Sequence, residues 1–539
     1  MSDEKENLIA KIMNDPQPLP RKVPDYMRKK GGIWYWTGAL VMFAFIYEVV
    51  TGLILLLYYQ PSNAYVSTAN IAYKLPFGTI ILTTHLYGAY AMIALMYVHL
   101  LRNLFVAGYK KPREQQWLTG VLLLVLTLGA GFFGYSMSGD VLSISATDVG
   151  RGIANGFPYL GSYLRAIFFG NGTSLSLFSR MLSWHIIMVA LIGILFLVHF
   201  FMAEYNTIMP SHKSAKYLAP AIDHEDSSYK KWYPYNMYYM LELMFLFFGV
   251  LVIIPSILAI VPNVPPLFSP FPQAQPGTPA ASHVTVFYPP WFLLFLYKEL
   301  DFMFSEGMGP FWATVLFAGM PLTYLLLVPK LDSGESLKLR DRPMTVAFGI
   351  VGITYLVGLS IWGAIQPGFP ISTIKVLAFF FGIGFAIIAT ILLIAKSYRE
   401  NKIKNENAVY IYISGVLAGF SLFGLGMLIF YSVKYPTPVH LVSLGIMAFL
   451  TALTIFVTVA FALGELPRKY VEAKQLVGRK GHMIAGAGFA FSAVAILSMV
   501  SVIPPDNSVN NALYGIGMGI IFILVGGMIR IFRSSELGE

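Results

Sequence analysis

Apolar residues run on for about 20 positions at a time with no polar face, and short polar connections separate the runs. Twelve such runs stand at about 34–58, 78–106, 117–136, 183–204, 237–261, 309–329, 344–364, 373–395, 408–431, 439–463, 482–503 and 511–532. Each is long enough for a helix to cross a bilayer, where a helix satisfies its own backbone polar groups. The expected fold class is all-α: a polytopic transmembrane helical bundle of about twelve spans.

Composition agrees, since 56% of the 539 residues are hydrophobic and 12% are charged. A soluble core cannot hide that much apolar sequence. The formal net charge of +10 does not point to nucleic acid, because Lys and Arg are scattered through short loops and form no single patch. Their distribution orients the bundle instead. Basic residues fill the N-terminal segment (Lys22, Arg28, Lys29, Lys30) and then every second connection, as in Lys110, Lys111, Arg113 and again in Lys338, Arg340, Arg342. By the positive-inside rule those loops face the cytoplasm, and an even number of spans puts both termini there. The first 30 residues are polar and basic, so no cleavable signal is expected. The location expected is the cell membrane, in contact with lipid.

The chain has no cysteine, which excludes disulfides, thiolate-held Fe–S clusters and covalent c-type haem. A redox centre would need other ligands. His85 and His99 lie in the second run and His185 and His199 in the fourth, so a spacing of 14 occurs twice. Fourteen residues advance a helix by about 21 Å and return it to within roughly 40° of the same face. The second and fourth spans run in the same direction, which pairs His85 with His185 on the outer side and His99 with His199 on the inner. A lone membrane histidine is ordinarily a packing or hydrogen-bonding residue. Two equal pairs on parallel helices fit two bis-imidazole haems, sites that pass electrons and leave iron no free axial position. Glycine repeats the period: Gly38 and Gly52 in the first run, Gly120 and Gly134 in the third. Glycine permits the close approach that a planar macrocycle between helices requires.

Over about residues 25–396 the chain resembles the cytochrome b subunits of quinol-oxidising bc-type complexes. The stretches that carry the resemblance are Trp36-Thr-Gly38, Thr51-Gly52, His85-Leu-Tyr-Gly88-Ala89, His99-Leu-Leu-Arg102, Pro112-Arg-Glu-Gln-Gln-Trp117, Gly134-Tyr135, and Arg180 five residues before His185. It is strongest toward long archaeal cytochrome b-like subunits that accompany a Rieske protein and a terminal oxidase. The resemblance implies that the four histidines bind two haems, of b type or modified, and that Arg102 and Arg180 pair with haem propionates. It also implies electron transfer from quinol across the membrane, as a subunit of a quinol oxidoreductase with a Rieske-type Fe–S partner and, by the archaeal likeness, terminal oxidase subunits. Under it the chain divides into a cytoplasmic segment 1–33, a dihaem four-helix core 34–235, C-terminal-type helices with an outer quinol-site loop 236–396, and a four-helix extension 397–539.

The outer quinol site departs from the family pattern. Where the family has Pro-Glu-Trp-Tyr, this chain reads Pro289-Pro290-Trp291-Phe292, so the proton-accepting glutamate is replaced by Pro290. Leu82 stands where the family has an arginine three residues before its first ligand, and Met137-Ser-Gly-Asp140 replaces an apolar turn. Glu299, Glu48 and Asp140 are candidate replacements near the site, beside Trp291 and Phe292, because a buried carboxylate is held protonated or paired. Each has an ordinary alternative as a structural hydrogen-bonding group. Glu204 and Glu242 are the corresponding inner candidates. His440 and His482 are isolated and read as interfacial, and Asn171-Gly-Thr173 is an outward-facing glycosylation triplet. Two other readings compete. A dihaem relay or anchor in an oxidase supercomplex needs no conventional outer site. A secondary transporter predicts internal repeats and broken helices, and leaves the histidine pairs unexplained.

Overall fold

The computed structural model describes residues 22–28, 32–206, 229–260, 272–274, 289–400 and 478–538. Ten helices among them are long and apolar enough to cross a membrane, and they coincide with ten of the twelve apolar runs. The runs at 408–431 and 439–463, with His440, lie outside the described residues.

The helices that matter below are α1 (Thr37–Leu56), α2 (Gly78–Phe105), α3 (Glu114–Tyr135), α4 (Val141–Asn155), α5 (Ser174–Asn206), α6 (Met237–Ile260), α7 (Leu294–Leu300), α8 (Pro310–Leu331), α9 (Pro343–Ile365), α10 (Thr373–Arg399), α11 (Arg479–Ser501) and α12 (Ser508–Phe532). Among these, α4 and α7 are connecting helices and not spans. The strands Val23–Pro24 and Tyr229–Lys230 pair antiparallel, the one two-stranded ladder among the described residues.

Two features differ from the apolar pattern. Helix α5 starts at Ser174, earlier than the run at 183, because no glycine or proline breaks the chain after Gly172 and the polar residues up to Arg180 continue the helix. Its 33 residues extend about 50 Å, well beyond a hydrocarbon core of about 30 Å. Helix α4 is amphipathic and begins at an N-cap, Asp140, whose Oδ1 accepts from the Ser143 backbone N–H at 2.8 Å. The turn before it needs the left-handed backbone that Gly139 supplies (φ 71°).

Helix α1 packs along α2 and α3 along α5, with α6 against α1 and α2. At the end of α2 the C-terminal half is tied to these helices by Arg342. Its guanidinium donates to the carbonyls of Leu104 and Phe105 at the end of α2, and to Leu337 O and Tyr109 Oη. Lys110 pairs with Asp332 at 3.0 Å beside it, and Tyr109 donates to the same carboxylate. Helix α12 lies along α6, and Gly249 and Gly519 bring the two backbones together: a Cβ on Gly249 would stand 2.8 Å from the Gly519 carbonyl oxygen. At one end of this contact the buried Arg533 donates to Glu242 at 2.6 Å.

Candidate functional site

The four histidines form two pairs in the space between α2 and α5. His85 and His185 have ring centres 6.4 Å apart and His99 and His199 6.5 Å, and each pair of ring planes is inclined at 76°. In every ring Nδ1 has an oxygen partner. For His99 it is Thr37 Oγ1 at 2.9 Å, for His199 Thr119 Oγ1 at 3.0 Å and for His185 the Ala130 carbonyl at 2.9 Å. For His85 it is Thr51 Oγ1 at 2.9 Å together with Glu48 Oε2 at 3.0 Å. The Thr51 hydroxyl gives its own proton to the Tyr47 carbonyl at 2.7 Å, and Thr119 to Gln116 at 2.9 Å, so these oxygens accept from the imidazoles. That fixes the tautomer with Nδ1 protonated and leaves Nε2 with its lone pair. The Asn103 amide, 3.2 Å from His99 Nε2, agrees, since an amide nitrogen can only donate there.

The glycines stand at the histidine levels, yet what they admit is the imidazole itself. A Cβ on Gly38, Gly52, Gly120 or Gly134 would lie 3.1, 3.2, 3.2 or 3.0 Å from Cε1 of His99, His85, His199 or His185 respectively. Each ring therefore sits edge-on against a glycine of the neighbouring helix. The adjoining threonines Thr37, Thr51 and Thr119 meet the imidazole Nδ1 atoms; two of them stand in the stretches that carry the resemblance, and none is assigned a role from the sequence. The signal was present, since Thr-Gly recurs at three of the four glycines.

These residues fit haem. A metal–imidazole bond is about 2 Å long and the ring centre lies roughly 1.1 Å beyond the nitrogen, so two rings on opposite sides of one iron stand about 6.3 Å apart, as both pairs do. No group of three or more His, Cys, Asp or Glu side chains suited to a bare metal ion occurs among the described residues. Arg180 lies just over one turn from His185 and donates to Ser176 Oγ at 2.8 Å. Arg102, three residues past His99, lies over the Tyr35 ring at 5.1 Å.

Trp291 and Phe292 are buried against Tyr90, Ile93 and Ala94 of α2 and Ala364 of α9. Phe292 reaches α3, where a Cβ on Gly131 would lie 3.0 Å from its ring. With Tyr97, Phe295, Leu356, Val357 and Ser360 these two line a narrow apolar cleft. Two buried polar atoms of this segment lack a partner, Nε1 of Trp291, which lines the cleft, and Oε2 of Glu299, which does not. Glu299 lies one helical turn past Phe295, on the same face of α7. Burial pushes its carboxyl well above the usual carboxylate range. Its neighbour Lys298 is lowered by burial, but is held by Asp301 at 3.0 Å and by the Gln366 carbonyl. Pro290 caps the short turn before α7 through its carbonyl. Asp140 is a helix cap, tied to the start of α4. Glu242 belongs to Arg533, with Arg530 at 3.8 Å, and so fastens α12 to α6. Asn171 and Thr173 are exposed, with Thr173 Oγ1 donating to Asn171 Oδ1 at 2.9 Å, and His482 lies in the first turn of α11.

Residues 90–276 match the family described as cytochrome b (N-terminal)/b6/petB. A cytochrome b from Sulfolobus acidocaldarius is 38% identical over 417 residues, 75% of this chain and 73% of that protein. A cytochrome b6 from Heliobacterium mobile is 37% identical over 37% of this chain and 93% of its own length. The menaquinol:cytochrome c reductase cytochrome b subunit of Bacillus subtilis is 37% identical over 25% of this chain and 62% of its own. Among solved structures, a chain of a hyperthermophilic respiratory Complex III shares the fold, with a TM-score of 0.51 and 23% identity, over 70% of this chain and 92% of that one.

Proposed function

Since this chain belongs to the cytochrome b family, we propose that it binds two stacked haems and is the quinol-oxidising membrane subunit of a respiratory complex with a Rieske-type Fe–S partner. The observation that carries the reading is the pair of facing imidazoles at each of two levels, 6.4 and 6.5 Å apart, with all four Nδ1 atoms partnered. Haem, when bound, would supply reversible one-electron exchange. The chain's own residues do the rest. His85 with His185 and His99 with His199 hold the two groups; Thr37, Thr51, Thr119 and the Ala130 carbonyl orient the rings. Gly38, Gly52, Gly120 and Gly134 let the helices close on them, and Arg102 and Arg180 offset propionate charge.

Trp291 and Phe292 exclude water from the outer cleft, where quinol is expected to bind. Glu299 takes the place of the acid that Pro290 removes. Because its proton is held tightly, its ionised form is a strong base toward a quinol hydroxyl. Pro290 is also what favours a second reading, a dihaem subunit anchored beside a terminal oxidase without a conventional outer site. The orientation assigned from loop charge, with both termini cytoplasmic in the cell membrane, belongs to the same proposal.

The test is a potentiometric optical titration of the purified full chain with extraction of its pigment. Two low-spin components at distinct potentials, and an extracted haem b or modified haem, are the expected result. Absence of haem would overturn the proposal. Quinol oxidation that survives in Glu299→Gln at the wild-type rate would return Glu299 to a structural role, and a haem-loaded wild-type chain that oxidises no quinol would favour the anchor reading.

A further inference from the structure

The four imidazoles donate from Nδ1 to unequal acceptors. Three meet neutral oxygens, two threonine hydroxyls and one backbone carbonyl. His85 alone meets a carboxylate, Glu48 Oε2 at 3.0 Å, and divides its N–H between that oxygen and Thr51 Oγ1. Glu48 stands one turn before Gly52, the glycine that receives the His85 ring edge, so the carboxylate and the glycine present the same face of α1 to the same imidazole.

The contact is built from both helices. The Glu48 carboxyl fits against Gly88, three residues past His85 on α2, where a Cβ would come within 2.0 Å of Oε1. No other side chain fits there without moving the carboxyl. Glu48 Oε1 is itself buried and without a hydrogen-bond partner, so the group is committed to His85 through its other oxygen. Neither inner histidine has an equivalent, and the asymmetry therefore distinguishes the outer site from the inner one.

We propose that Glu48 is a positioning residue that acts through His85 to hold the outer haem at a lower potential than a neutral acceptor would set; this rests on the dihaem reading above. A hydrogen bond to a charged acceptor is roughly twice as strong as one to a neutral oxygen. It shifts electron density onto the imidazole and makes it a more basic ligand, which favours the oxidised, more positive state of the bound group. The low dielectric of the bilayer interior keeps the effect from being screened.

The experiment is an optical potentiometric titration of the haem-loaded full chain in wild type, Glu48→Gln and Gly88→Ala, at one pH. His185→Leu identifies the outer wave by its loss. The amide keeps an oxygen acceptor for Nδ1 and removes only the charge, so a purely orienting role leaves the potential where it was. The expected result for Glu48→Gln is both haems retained and the outer wave raised by at least a tenfold change in reduction equilibrium, about 59 mV for one electron, with the inner wave unmoved. Gly88→Ala pushes the carboxyl off its seat and moves the same wave the same way, which tests the idea where the glutamine variant fails to assemble. Two haems with both waves unmoved, or movement of the inner wave alone, would overturn this inference and leave the dihaem reading standing. A wild-type chain without haem would overturn both.

Discussion

Three of the four histidines are held by a threonine that directly precedes a glycine: the hydroxyl accepts the imidazole N–H while the glycine receives the ring edge. The unit does two jobs with two small residues, because a β-branched side chain has few rotamers and a glycine has none to clear. Thr119→Val keeps that shape and removes the acceptor. Weaker haem retention at the inner site is expected, about 10- to 100-fold, read by titrating extracted apoprotein with haem and following the inner band. His185→Leu removes a ligand outright, and loss of the outer component alone is expected in the reduced-minus-oxidised spectrum. At Glu299 the sign of the pH effect follows from burial, which raises its carboxyl pKa. The folded state binds this proton more tightly than the unfolded chain, so the stability it contributes is present below about pH 4.3 and is lost as pH rises through the raised value. Relative to wild type, Glu299→Gln should therefore become more stable as pH rises, by thermal melts across a pH series, and quinol oxidation should lose its increase with pH.

At the scale of elements, small residues decide which helices touch. Gly249 and Gly519 allow α6 and α12 to approach backbone to backbone, and the Glu242–Arg533 pair closes one end of the same contact. Helix α12 lies beyond residue 396, where the resemblance ends, and is packed against α6. Gly249→Ala inserts a methyl group against a carbonyl that cannot retreat without separating the helices. Destabilisation of about 1–3 kcal/mol is expected from overpacking, measured by denaturant or thermal unfolding in detergent. Removing Glu242 takes its carboxylate from the buried Arg533, and a larger loss of about 3–5 kcal/mol follows for Glu242→Ala in the same assay. Lowered turnover at unchanged stability would instead mark Glu242 as an acid of an inner quinone site.

For the whole molecule, the arrangement of charge predicts sidedness. Arg342, Lys110 and Asp332 knit the basic connections together, while Asn171 stands exposed on the connection that leads into α5. The absence of cysteine makes this directly measurable. A membrane-impermeant maleimide should label Asn171→Cys in intact cells or right-side-out vesicles. It should reach Ser333→Cys, in the exposed loop after α8, only after permeabilisation. Labelling of both from one side would contradict the orientation read from the loops.

The sequence by itself determined the spans, the two levels of histidine and their pairing, because hydrophobic run length and the helical period are local properties of the chain. It also carried enough family pattern to point to the fold and to the missing acid at Pro290. Only the tertiary structure decided what each imidazole donates to, that Glu48 reaches His85, that the glycines admit ring edges, and that Glu242 belongs to Arg533, 291 residues away. It likewise showed Asp140 as the cap of a helix that the apolar pattern did not reveal. These facts depend on which faces of distant helices lie against one another. A run of apolar residues hydrophobic on all sides does not specify that, and close packing does.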